Sequence, residues 1–250
     1  MKKLIYILAV LVAFYSCNSE KANDCFQTTG SMVSEVITVT DFSEIEVNEG
    51  VTLYISQGTT NSVAIETGEN LLNDVEAYVE NGRLIVNDNN SCNYVRDYGV
   101  TKVYVTATNI TKIINNSQFN VYGENTLYFP ELELVSENYD SDGLAVGSFY
   151  LDVIANNLRC TFNDWSSAFI SGTTTNLTVN FYSGDSRFEG ADLIAQNVSI
   201  YHRSSNDIIV YPVQSLSAEL VSTGNVIVKN TPLEISILTP YIGRVIFEDQ

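Results

Sequence analysis

Positive charge is scarce in this sequence, with 12 Lys and Arg against 30 Asp and Glu and a net charge of −18. Clustered Lys and Arg are what a phosphate backbone or an anionic lipid surface requires, so nucleic acid is excluded as a partner. The acidic excess fits solubility, cation binding or a cationic partner. Histidine is scarcer still. His202 alone is present, so a Ser-His-Asp site has one possible base, and no nucleophile motif points to it. Its neighbours Tyr201 and Arg203 read as alternating faces of a strand, which places His202 on the surface. No pair of Cys or His has metal-ligand spacing. No apolar run reaches the ~20 residues of a membrane-spanning helix. Lys, Arg and Met, all good helix formers, are few. No Pro-rich or charge-rich stretch divides the interior, which argues for one large domain.

What is abundant points to strands and turns: Thr, Val, Ile, Asn and Ser, with 15 Tyr and 11 Phe. Residues 1–16 read as a cleaved export signal, with Lys2 and Lys3 ahead of an apolar run at 4–15 and the small Ser16 at the cut. Phe14-Tyr15-Ser16-Cys17 resembles a bacterial lipobox, which makes Cys17 the expected acylation site and 17–32 a lipidated N-terminus and tether. Phe14 and Tyr15 are bulkier than the usual lipobox residues, so an ordinary signal cut near Ser16 is the alternative. Several acyl chains together give stable membrane anchoring. Asn18 after the Cys, in place of Asp, favours the outer membrane, in either leaflet.

Of the other cysteines, Cys25 and Cys92 lie in polar, turn-rich segments, where a disulfide forms without distorting a strand in an oxidising compartment. Cys160 alternates with its neighbours like a strand residue and is expected to be a buried thiol. A metal site is the weaker alternative for these cysteines.

Between Val33 and Val105 the pattern is of short alternating strands, with a hairpin signal at Asn81-Gly82 between Val75-Glu76-Ala77-Tyr78-Val79-Glu80 and Arg83-Leu84-Ile85-Val86. Beyond Val105 apolar-polar-apolar triplets recur at Leu132, Leu151, Leu177, Val198, Leu216 and Leu233, with spacings of 19, 26, 21, 18 and 17. Polar turns follow most of them. A period near twenty without helical periodicity is what a parallel β-helix requires. A β-sandwich or antiparallel barrel shares the many short strands, but the triplet and turn repeat favours the helix. The expected fold is therefore an all-β, single-stranded right-handed parallel β-helix over 33–250, with a short-strand and hairpin N-terminal portion.

Asp41-Phe42-Ser43-Glu44-Ile45-Glu46-Val47, Ile55-Ser56-Gln57-Gly58, Asn70-Leu71-Leu72, Asn81-Gly82-Arg83-Leu84-Ile85-Val86 and Thr223-Gly224-Asn225-Val226 resemble the head GIN domain family of autotransporter adhesins. The resemblance implies a right-handed β-helix, export, frequent lipid anchoring and no assigned catalytic residues. It also implies a pairing of Cys25 with the Cys of Ser91-Cys92-Asn93. The family's Ser-Gly turns are replaced here by bulkier acidic ones.

One of these, Asn138-Tyr139-Asp140-Ser141-Asp142-Gly143, copies the front half of a calcium loop. Phe149 stands where the closing Glu is needed, so a solvated turn is the better reading. Asp140, Asp185 and Asp207 fall 8, 8 and 9 residues after their coil starts and form an acidic column, able to hold calcium, if the coils stack in register. Variable coil length would scatter them. Trp165, Phe181, Tyr182, Tyr201 and Tyr211 are candidate stacking platforms for a ligand, Trp165 foremost because it falls in what reads as the longest coil. No cofactor other than calcium is expected. The expected function is that of a non-enzymatic surface lipoprotein binding a glycan or protein. The alternatives are an envelope structural protein assembling through its coil ends and a polysaccharide-active enzyme.

Overall fold

The structure, a computed structural model, describes residues 24–90, 92–137 and 145–248. The signal segment, Cys17, Asp140 and Asp142 lie outside the described residues. The protein is all-β: among the described residues seventeen strands form one continuous sheet, with 3-10 turns at Asp24–Phe26 and Leu72–Asp74.

Thirteen of these strands open the chain or interrupt its repeats: β1 (Met32–Ile37), β2 (Glu44–Val47), β3 (Thr52–Gln57), β4 (Ser62–Gly68), β5 (Val75–Glu80), β6 (Arg83–Asp88), β7 (Lys102–Ala107), β8 (Lys112–Asn115), β9 (Val121–Gly123), β10 (Glu131–Ser136), and, at the far end, β15 (Val226–Val228), β16 (Glu234–Leu238) and β17 (Val245–Phe247). Four long strands lie between them, β11 (Phe149–Phe162), β12 (Ser167–Phe181), β13 (Arg187–His202) and β14 (Ile208–Leu220). The long strands pair in parallel, and the two halves of each belong to two different columns of the sheet. Their second halves align Leu132, Leu158, Leu177, Val198, Leu216 and Ile235. Their first halves align Val121, Phe149, Ala168, Phe188, Ile208, Val226 and Val245.

This register corrects two expected coil starts. Leu158 and Ile235 replace Leu151 and Leu233, and Leu151 pairs instead with Ile170 in the other column. β11 carries an apolar-polar-apolar triplet in both halves, Leu151-Asp152-Val153 and Leu158-Arg159-Cys160, so the triplet alone does not say which column it joins. Within the repeat that begins at Leu132, the longest coil is therefore the one that runs from Leu132 to its partner Leu158. Trp165 sits in the next coil, between Leu158 and Leu177, which is of ordinary length.

The N-terminal strands join the same two columns in a different order. The first column runs β6, β2, β8, β10, and the second runs β7, β3, β9, β11. The chain's first coil thus lies between its second and its third. Stacking begins at Glu44, well before the visible repeat. The second column ends in two antiparallel strands, β4 on β7 and β1 on β4, and the first ends in the β5–β6 hairpin. Asn81 and Gly82 take φ of 52° and 80°, the two positive angles a tight two-residue turn demands.

Inside, aligned side chains form a continuous core. Leu84, Ile45, Ile113, Leu134, Cys160, Val179, Ile200 and Ala218 follow one another in register, all buried. Burial of each large aliphatic member stabilises by about 1.5–3 kcal/mol. The Cys160 thiol is free, and burial raises its pKa far above the ordinary range. Phe149, Phe162 and Phe181 stack at 5.5 and 5.4 Å, and His202 closes the row with its ring edge-on to Phe181 at 6.0 Å. His202 is therefore interior, at 1% exposure, and not the surface residue that its neighbours suggested. Alternation is preserved, but it is Ile200 and His202 that point inward. Outside, Asn157, Asn176 and Asn197 form an amide ladder, with 2.8 and 3.1 Å hydrogen bonds, capped by Glu131 and Ser215.

Candidate binding surface

Turns that lead from the first column to the second stack along one edge of the molecule. Backbone N–H groups of Gly147, Asp185, Ser205, Gly224 and Gly243 donate to carbonyls of Ser117, Asp164, Gly184, Ser204 and Ser222 in the turn before. Gly184, with φ of 82°, is required there, because a Cβ would lie 1.9 Å from the Asp164 carbonyl oxygen. These turns carry exposed aromatic residues. Tyr98, Trp165 and Tyr241 all project from them, Trp165 at 59% exposure, and Tyr182 tilts against Tyr201 at 5.6 Å. Phe181, by contrast, is fully buried in the interior row, and Tyr211 is half-buried. Partial burial raises the pKa of the Asp164 carboxyl, next to Trp165 in the chain.

Asp185 and Asp207 do not share a column. Asp185 lies three residues before Phe188, whereas Asp207 lies one residue before Ile208, the partner of Phe188. Asp185 accepts a 2.7 Å hydrogen bond from Ser205, while Asp207 accepts from Asn225 Nδ2 at 3.1 Å and faces Arg187 at 3.8 Å. Unequal turn lengths separate the two acids. Among the described residues no three His, Cys, Asp or Glu side chains converge on a metal position.

A second feature adjoins the turn edge. Tyr104, Tyr54, Tyr122, Tyr150 and Phe169 stand in register on the outer face of the second column, with ring centroids 5.0, 5.3, 5.3 and 4.7 Å apart. The strand spacing of about 4.8 Å sets this distance. Because the rings stack face against face, they offer solvent their edges and hydroxyls. Polar side chains border the stripe: Ser56 donates to Glu124 at 2.7 Å, Ser171 to Asp152 at 3.1 Å and Lys102 to Glu66 at 2.8 Å. Desolvation raises the pKa of the Tyr104 phenol, which holds it protonated. Sequence reasoning missed this stripe because its members are far apart in the chain. A signal exists in the apolar-Tyr-apolar triplets Leu53-Tyr54-Ile55, Val103-Tyr104-Val105 and Phe149-Tyr150-Leu151.

At the N-terminal end, Cys25 and Cys92 form a disulfide with Cα atoms 4.4 Å apart. It ties the start of the domain to the 89–101 loop. Arg96 strengthens that tie by donating to the carbonyls of Asp24 at 2.6 Å and Gln27 at 3.3 Å. No helix among the described residues is long and apolar enough to cross a membrane.

Stacked coils in one sheet, with their longer turns gathered on one edge, define an all-β display scaffold. The chain belongs to the family described as "Putative auto-transporter adhesin, head GIN domain", whose model matches residues 41–232. Its fold is similar to that of a putative adhesin from Bacteroides fragilis, at 17% identity and a TM-score of 0.79, over 88% of this chain and 99% of that one. A putative adhesin from Parabacteroides distasonis is similar at 16% identity and a TM-score of 0.64, over 88% and 99% of the two chains. A structure from the same organism described as a putative lipid binding protein is similar at 18% identity and 0.60, over 89% and 99%. No curated protein matches the chain.

Proposed function

We propose that the protein is a non-enzymatic binding module of adhesin type, held at the outer membrane by acylated Cys17, that presents a right-handed parallel β-helix to a glycan or protein partner. The observation that carries this reading is the gathering of exposed Tyr98, Trp165, Tyr182 and Tyr241 along one edge of a rigid stack. Exposed aromatic side chains on supported loops provide large contact area at low entropic cost. The right hand is supported by the general preference of parallel strand connections. The purified mature chain is expected to bind a discrete set of features on a glycan and extracellular-matrix array, and Trp165→Ala with Tyr98→Ala to weaken that binding at least tenfold. An array on which the double variant and the parent give the same pattern would sink the reading. The anchor has its own test: Cys17→Ser is expected to shift the protein from the membrane fraction to the soluble one.

A second reading, assembly through coil ends, is favoured by the last coil. Leu233, Ile235, Ile237, Leu238, Ile242 and Ile246 are exposed there, although Ile235 and Ile237 continue the interior columns of Leu216 and Ala218. A stack normally ends in a polar capping coil, and β16 leaves both an apolar face and a backbone edge open to a second copy. Sedimentation that stays monomeric from micromolar to millimolar protein, within the range where Ile235→Lys also stays monomeric, would exclude this reading.

A further inference from the structure

Exposed apolar side chains gather at the end of the stack where the described chain begins. Phe26 and Val95 are each 53% exposed there, and Tyr94 is 75% exposed. β1, the outermost strand of the second column, adds exposed Met32 and Val36, and β5, the outermost of the first, adds Tyr78. We infer that this end is a foot that seats the domain in the headgroup layer of a zwitterionic bilayer, with the stack standing away from the membrane. The inference rests on the proposed acylation of Cys17.

Phe26 and Tyr94 are held in place. The Cys25–Cys92 disulfide joins the two segments that carry them, the Tyr94 N–H donates to the Cys25 carbonyl at 2.9 Å, and the two rings meet at 5.8 Å. Arg96 donates to the carbonyls of Asp24 and Gln27, on either side of Phe26. The brace thus keeps an aromatic pair outward. A ring with a polar tip, such as that of Tyr94, favours the boundary between water and hydrocarbon, where its apolar body and its hydroxyl are both accommodated.

Reach decides which end meets the bilayer. From Cys17 to Asp24 the chain advances seven residues, which span at most about 25 Å when fully extended. The first column rises through β6, β2, β8, β10, β11, β12, β13, β14 and β16, about 40 Å at roughly 4.8 Å per strand. The disulfide fixes the start of the domain to the loop after β6, at the near end of that column. An inverted stack, resting on its apolar β16 end, would place Asp24 beyond the reach of the tether. A stack on its side would press the amide ladder or the ion-paired carboxylates of its flanks against lipid. A short tether also holds the foot at about millimolar effective concentration, so a contact too weak to capture the free domain is populated. Exposed Glu76, Glu80 and Asp97 at the same end disfavour an anionic leaflet, which leaves zwitterionic headgroups as the match.

The test couples the mature chain through the Cys17 thiol to a maleimide lipid in phosphatidylcholine vesicles whose acyl chains are brominated near the headgroup. Cys160 is buried and Cys25 and Cys92 are bonded to each other, so the coupling falls on Cys17. In the Tyr94→Trp variant the emission from position 94 is expected to fall about twofold on these vesicles, because the indole enters the quenched layer. Trp165 of the parent, on the turn between β11 and β12, is expected to keep its emission. Adding Val95→Asp, an exposed substitution that leaves the brace intact, is expected to abolish the quenching. No quenching at position 94, quenching unchanged by Val95→Asp, equal quenching of Trp165, or quenching confined to anionic phosphatidylglycerol vesicles would each overturn the inference. Because the synthetic lipid supplies the tether, none of these bears on the anchor, which mass spectrometry of the native chain decides. A native Cys17 without acyl groups would remove the inference together with the anchor.

Discussion

Residues 32–123 and 131–247 build the same two columns of sheet by different routes. In the later region each coil lies on the one before it, so neighbours in space are also successive in sequence, as Leu158, Leu177, Val198 and Leu216 are. In the earlier region the first coil is clasped between the second and third, so that Ile45 of β2 meets Leu84 of β6 on one side and Ile113 of β8 on the other. The lattice and the inward apolar positions are shared, but the order of assembly is not. A sequential stack grows by nearest-neighbour contacts, whereas the clasped coil is complete only when distant segments have closed around it. The disulfide and the Arg96 tie both fall on the clasped side, where loop-closure entropy is largest.

The sharpest way to break the comparison is to open a cavity in the sequential part. Phe181→Ala removes a ring from the middle of the interior row and is expected to cost about 3–5 kcal/mol. Because a one-dimensional stack transmits stability only through its neighbours, the unfolding transition should also split, with the clasped region surviving the coils beyond β12. A single transition with coincident probes would show that the two regions unfold as one.

Removal of the disulfide acts on the other side. Cys25→Ser with Cys92→Ser releases a closed loop whose ends are 67 residues apart and is expected to cost about 2–4 kcal/mol. Hydrogen exchange should place the loss in β1 to β7 and leave β12 and β13 protected. Gly82→Ala sharpens the same contrast on a smaller scale. A Cβ there meets nothing within 4 Å, so its cost is purely that of a non-glycine residue at φ of 80°, about 1–2 kcal/mol, measured by chemical denaturation.

The two regions also differ in how much the sequence discloses. The all-β class, the hairpin at Asn81-Gly82 and the repeat from Leu132 onward are legible because each depends on local alternation or on turn residues that tolerate positive φ. The clasped order is not legible, since β2 carries the same Ile45-Glu46-Val47 alternation whichever strands flank it. Register fails for a related reason: Leu151-Asp152-Val153 and Leu158-Arg159-Cys160 are equivalent as patterns, and only pairing with Ile170 or Leu177 tells them apart. For the binding surface, Trp165 is legible as an exposed turn residue, but the tyrosine stripe depends on a register that joins β3 to β9 and so sets Tyr54 against the distant Tyr122.

His202 gives the finest test, because it lies at the far end of the sequential region's aromatic row. Burial lowers its pKa below the ordinary histidine value of 6.5, with Asp207 and the backbone of Asn206 and Asn225 opposing that shift. In the unfolded chain the imidazole takes up a proton near pH 6.5, while in the folded chain it resists protonation until the pH is lower. The unfolded state therefore binds more protons in that window. The stabilisation present above pH 6.5 is lost as the pH falls from there toward the lowered folded value. His202→Phe continues the row of Phe162 and Phe181 with a ring that cannot titrate. Gly224 approaches this position closely enough that the variant can start from a different melting temperature, so the comparison is of slopes. Between pH 7.5 and 5.5 the melting temperature of the variant is expected to fall less than that of the parent, since the carboxylates titrate alike in both. Parallel curves would mean that the coil carrying His202 admits the proton without unfolding, and that the sequential stack is looser at this rung than its buried aromatic row implies.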